Sequence, residues 1–142
     1  MIFYIDLVAD LLHYGHINYL KKINEYKLNE GDKLYVGIHN DKTVEEYKRI
    51  PILTMDERIK VLECCKYIDK IIPDAPLKIT DEFLKLHGID KLFVPNNRTD
   101  EDNILMYSDI KDSNIEIIKI PYTNTISTTD IINRIINRYN KN

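Results

Sequence analysis

Apolar residues recur along this chain in short dense blocks separated by longer stretches with helical spacing. Ile2-Phe3-Tyr4-Ile5 predicts a strand over Ile2–Asp6, and Ile17, Leu20 and Ile23 then share one face of a helix from about His16 to Lys27. Asn29-Glu30-Gly31-Asp32 turns the chain into a second strand, Lys33–Ile38. From Asn40 to Pro51 the pattern reads as loop or broken helix, because Pro51 interrupts helical hydrogen bonding. Thr54 followed by Glu57 is a capping box, opening a helix that runs to Tyr67 with Ile59, Leu62 and Cys65 inward. Asp69–Pro73 is a short third strand. Thr80 caps the next helix and Gly88 ends it. Lys91–Val94 and Ile115–Ile120 are the fourth and fifth strands, and the polar stretch from Pro95 to Ser113 between them shows no clear period. A last helix spans Ser127 to about Tyr139, with Ile131, Ile132, Ile135, Ile136 and Tyr139 on one face.

Regular alternation of nearly continuous apolar strands with amphipathic helices predicts an α/β protein. The expectation is a Rossmann-like, doubly wound, five-stranded parallel sheet with helices on both faces, a single domain over residues 1–142. In such sheets ligands bind beyond the carboxyl ends of the strands.

Composition narrows the function classes. With 142 residues, 44% apolar and 30% charged, the chain is long enough for a core and too apolar for disorder. A net charge of −3 without a basic tail argues against sequence-independent nucleic-acid binding. No apolar run approaches a membrane span and no leader pattern opens the chain, so a soluble cytoplasmic protein is expected. Nor does a long basic amphipathic tail follow Tyr139, which points to a bare domain without membrane regulation. The adjacent Cys64 and Cys65 have no second Cys pair for zinc and read as thiols in a reducing compartment.

The chemistry concentrates in His13-Tyr14-Gly15-His16, where two of the four histidines and one of the four glycines fall within four residues. The tetrapeptide follows a strand and opens a helix. There, free backbone N–H groups and the helix dipole face an anion, and two imidazoles add hydrogen-bond donors. A cradle for a nucleoside triphosphate is the reading these residues support.

The segment Asp10-Leu-Leu-His-Tyr-Gly-His16, together with Ile126-Ser-Thr-Thr-Asp-Ile-Ile132, resembles the two signature motifs of the cytidylyltransferase family. Lys48 before Pro51, Met55-Asp-Glu-Arg58, Tyr67-Ile-Asp69 and Asp74-Ala-Pro-Leu-Lys-Ile-Thr80 occur between them in the family's order, so the resemblance runs from about Phe3 to Tyr139. The later motifs are nearest to enzymes that activate phosphocholine or phosphoethanolamine. What the resemblance implies is in-line attack of an alcohol phosphate on the α-phosphorus of CTP, releasing pyrophosphate and forming a CDP-alcohol.

On that resemblance His13, His16 and Lys48 are catalytic, the histidines on the phosphates and Lys48 between the two substrates. Asp41, Arg58, Lys66, Ser127, Thr128 and Thr129 belong to the nucleotide, and Asp6 and Tyr122 to the acceptor. Mg²⁺ accompanies the triphosphate, with no resident metal ligands. The partners implied are CTP, a small phosphorylated alcohol and a second copy of the chain, met near Lys66-Tyr67-Ile68-Asp69.

Several family positions are altered. Leu7 and Ala9 replace a glycine and an aromatic residue, Leu77 replaces an aromatic residue, and Pro95 opens a segment that is usually acidic. Tyr122 and Thr125 replace the arginine and glycine before Ile126-Ser127-Thr128, removing a planar phosphate clamp. A quaternary ammonium is held by aromatic faces, so Leu77 weakens phosphocholine recognition, while the last helix and Thr80–Leu84 lean toward it. Phosphocholine is the favoured acceptor, and phosphoethanolamine, whose amine can bond a carboxylate such as Asp6, is next. The alternatives are a catalytically weak or inactive nucleotide-binding relative acting as a dimeric interaction module, a glycerol-3-phosphate cytidylyltransferase, and a relative that uses adenine in place of cytosine.

Overall fold

A computed structural model describes residues 1–112 and 114–140. Five strands form one sheet: β1 (Ile2–Leu7), β2 (Lys33–Ile38), β3 (Lys70–Ile72), β4 (Lys91–Pro95) and β5 (Glu116–Ile120). Their order across the sheet is β3-β2-β1-β4-β5, and every pairing is parallel. The order reverses between β1 and β4, whose carboxyl ends therefore open onto the crevice at the switch point. The parallel α/β fold expected from the alternation is the fold observed.

β1 is central and buried on both faces, which explains its unbroken apolar run. Phe3 and Ile5 point to one layer with Leu20, Ile23, Leu34, Leu62 and Phe93. Tyr4 points to the other, with Ile72, Ile79, Leu84 and Leu92. Strand alternation thus sends Asp6 to the Tyr4 side at the end of the strand.

Six helices complete the chain: α1 (Tyr14–Asn24), α2 (Asp41–Tyr47), α3 (Met55–Leu62), α4 (Asp81–His87), α5 (Asp100–Tyr107) and α6 (Thr128–Tyr139). Two of them depart from the sequence pattern for the same reason. Residues 41–47 form a helix capped by Asn40 and bury only Val44, and α5, capped by Thr99 within the stretch without a period, buries only Met106. A helix with one inward residue has no hydrophobic period to read. α1 begins at Tyr14 with His13 as its N-cap, and α3 ends at Leu62, short of Tyr67. Ser113, the last residue of the stretch without a period, lies outside the described residues.

Candidate active site

His13 and His16 form a capping box usually built from Ser/Thr and Glu/Gln. His13 Nδ1 accepts from the Gly15 N–H at 3.1 Å, and His16 Nδ1 accepts from the His13 N–H at 3.2 Å. An imidazole nitrogen that accepts from a backbone amide carries no proton, so in each neutral ring the proton is on Nε2. The rings lie with centroids 4.0 Å apart and both line one pocket, which leaves two Nε2–H donors for an anion. Burial, then the His13 and Lys48 charges, hold the His16 pKa down to about 3, and burial also lowers His13. Both rings are therefore neutral donors at pH 7. Gly15 is required by contact, since a Cβ there would stand 2.8 Å from His13 Cε1 and 3.3 Å from Ile126 Cγ2.

The opposite wall is the amino end of α6. Ser127 Oγ caps it by accepting from Asp130 N–H, Thr128 Oγ1 donates to the Asp10 carbonyl at 2.7 Å, and Thr129 Oγ1 accepts from Arg49 at 3.5 Å. Two helix amino ends thus face one pocket, which also takes Lys48, Arg49 and Tyr122 into its lining. Lys48 ends α2 and is open to solvent; surrounding protein, and then the Arg98 and Arg49 charges, lower its pKa. Arg49 was not singled out by sequence reasoning, although it directly follows Lys48. Its buried Nε has no hydrogen-bond partner.

One buried polar residue, Asp10, shapes this mouth through its hydrogen bonds to the backbone. The Asp10 carboxylate accepts from the Ile52 and Leu53 N–H groups at 2.8 and 2.9 Å, fastening the segment after Lys48 to the phosphate loop. Around it, Ala9 and Leu11 adopt left-handed φ values of 56° and 47°, uncommon for side chains other than glycine. Leu7 packs into the core rather than toward the pocket, so this replacement of a glycine does not crowd it.

The remaining sequence candidates divide by position. Arg58 is 1% exposed, and its guanidinium donates to the carbonyls of Leu53, Val8 and His39 and to Asp41 Oδ1. It clamps three loops together rather than presenting a free fork to phosphate, and Asp41 is its ion-pair partner at 2.8 Å. Lys66 is not brought to the pocket. It precedes β3, beside Asp69, whose N–H and carboxylate bond the start of β2, and so it lies at the amino edge of the sheet. There its Nζ stands 5.4 Å from the Tyr67 ring centroid. Asp6 is buried at the end of β1, and Arg98, unnoticed in the sequence, lies 3.4 Å from it. Tyr122 is 40% exposed on the pocket rim, its N–H held by Asn96 Oδ1.

Among the described residues no three His, Cys, Asp or Glu side chains gather as a metal-ligand set. The one carboxylate in the pocket lining, Asp10, already accepts two backbone N–H groups. This donor set does not build a resident Mg²⁺ site.

A parallel open sheet whose switch point carries two helix amino ends, paired imidazoles and adjacent cations defines an α/β protein with a pocket lined by hydrogen-bond donors and positive charge. Residues 8–134 match the model of the family described as cytidylyltransferase-like, and the chain belongs to that family. It is 36% identical over 141 residues to a choline-phosphate cytidylyltransferase of Saccharomyces cerevisiae, covering 97% of this chain and 32% of that protein. A probable ethanolamine-phosphate cytidylyltransferase of Encephalitozoon cuniculi is also 36% identical, over 96% of this chain and 40% of its own length. The chain thus spans well under half of these two relatives. An FAD synthase of Thermococcus sibiricus, 36% identical, is matched over 93% of this chain and 90% of its own. Among solved structures, a lipopolysaccharide core biosynthesis protein from Thermoplasma volcanium superposes with a TM-score of 0.66 at 23% identity, over 87% of this chain and 96% of that one. At that identity the likeness is one of fold.

Proposed function

We propose that the chain transfers CMP from CTP to a small phosphorylated alcohol, releasing pyrophosphate. The observation that carries this reading is the pair of Nε2–H donors on α1 facing the capped amino end of α6, with Lys48 and Arg49 over the same pocket. Neutral imidazoles place donors where charge builds on the phosphates, while Lys48 and Arg49 supply the positive charge. An acceptor phosphate oxygen forms a bond to the α-phosphorus as the bond from that phosphorus to the β-bridging oxygen breaks. The electron pair leaves with pyrophosphate. No covalent protein intermediate is needed, and orientation supplies much of the rate. Ser127, Thr128 and Thr129 serve the phosphates at the α6 terminus, Arg58 with Asp41 holds the loops in place, and Tyr122 borders the acceptor side. Mg²⁺ enters with the triphosphate as part of the substrate. The names of the yeast and E. cuniculi relatives make amino-alcohol phosphates the first acceptors to compare with glycerol 3-phosphate.

The test is pyrophosphate release with CTP across phosphocholine, phosphoethanolamine and glycerol 3-phosphate. Release that requires CTP and one of these acceptors is the expected result; none with any acceptor ends the reading. The FAD synthase relative, matched nearly end to end, favours a second reading in which ATP and FMN replace these substrates. Turnover with ATP and FMN in the same plate, and none with CTP, would decide for it.

A further inference from the structure

Arg98 enters from the turn between β4 and α5 with 15% of its side chain exposed. One terminal nitrogen lies 3.4 Å from Asp6 Oδ1, and the other donates to the Tyr107 hydroxyl. Its central carbon also stands 6.0 Å from the Tyr107 ring centroid. The cluster lies next to the pocket, because Asp6 comes two residues before Val8 and Arg98 three residues after Pro95, and both Val8 and Pro95 line it. Asp6 is 2% exposed, and among the described residues its Oδ2 accepts no hydrogen bond, the His39 Nε2 standing 3.7 Å away. Among the described residues the buried Tyr19 hydroxyl is also without a partner.

A quaternary ammonium needs aromatic faces and a carboxylate for its charge, and it brings no N–H donor of its own. Beside this pocket both requirements are already met by the guanidinium, which sits over Tyr107 and pairs with Asp6. A second cation would be repelled by Arg98, and expelling Arg98 would leave it a charge without its partner in a half-buried space. What the cluster lacks is a hydroxyl group, able to donate to Asp6 Oδ2 and exchange a hydrogen bond with Tyr19.

We propose that Arg98 selects the acceptor, turning away cationic head groups and admitting the phosphate ester of a neutral polyol whose hydroxyls partner Asp6 and Tyr19. This inference rests on the CMP-transfer reading. In kcat/KM, sn-glycerol 3-phosphate should exceed phosphocholine by about tenfold or more. Arg98→Gln should bring that ratio down at least about fivefold, and Arg98→Lys, which keeps the charge, should preserve most of it. Phosphocholine used as well as glycerol 3-phosphate by the unaltered protein, or a ratio unmoved by Arg98→Gln, overturns the proposal. If Arg98→Gln does not fold, the unaltered protein and Arg98→Lys still decide it. Equilibrium titration of both esters in the presence of CTP separates the two failures. No pyrophosphate from any acceptor ends the CMP-transfer reading, yet tighter binding of glycerol 3-phosphate would still support acceptor selection, and equal or absent binding would overturn it.

Discussion

At the scale of single residues, His13 and His16 each divide their two ring nitrogens between capping α1 and facing the pocket. The Nδ1 edges cap α1 and thereby orient the Nε2–H edges. His16→Gln separates the tasks, since glutamine is a natural third-position partner in a capping box but offers no equivalent ring donor. Turnover should fall about 10²–10³-fold, as for loss of one oriented donor, with the helix retained in circular dichroism. The pH dependence of stability should change as well. The His16 pKa falls from 6.5 to about 3 on folding, so between those values the unfolded chain binds the extra proton. The stabilising contribution is complete above about pH 6.5 and is lost as pH falls toward 3. Urea midpoints at about pH 7 and pH 4.5 should therefore differ less in His16→Gln than in the unaltered protein. Gly15→Ala should displace the His13 ring, which a new Cβ would meet at 2.8 Å, and lower kcat more than it raises KM for CTP.

At the scale of elements, the loops at the carboxyl edge are joined by buried polar groups that periodicity cannot reveal. Arg58 ties the carbonyls of Val8, His39 and Leu53 to Asp41, and Asp10 ties residues 52 and 53 to the phosphate loop. Removing the guanidinium strands three carbonyls at once, so Arg58→Met should cost about 3 kcal/mol or more in denaturant unfolding. Asp41→Asn should cost much less, because that carboxylate is half exposed and the three carbonyl bonds survive it. Ser127→Ala removes the α6 cap and should cost about 1 kcal/mol, with a rise in KM for CTP if the cap also serves phosphate. The strands and α1, α4 and α6 were legible because each carries several inward apolar residues or a strong cap. α2 and α5 were not: each buries one residue, as α4 does, but no glycine closes either of them as Gly88 closes α4.

At the scale of the whole molecule, a chain with net charge −3 gathers Lys48, Arg49 and Arg98 at one edge of the sheet. On the CMP-transfer reading these cations draw an anionic substrate to one place on a chain whose net charge is negative. Raising ionic strength from about 0.05 M to 0.5 M should increase KM for CTP severalfold while changing kcat much less, because screening acts on encounter more than on the closed site. Among the described residues no helix is long and apolar enough to cross a membrane.

The chain's own pattern was enough to set the parallel α/β sheet, the place of the phosphate loop and the pairing of His13 with His16 near the last helix. These depend on local period, on capping chemistry and on a short motif, all of which are written within a few neighbouring positions. Only the folded chain decided that Arg58 is a clamp, that Lys66 stands at the far edge of the sheet, and that Arg98 reaches Asp6. Those partners lie 50, 35 and 92 residues apart along the chain, and it is strand order at the switch point that brings such groups together or keeps them apart.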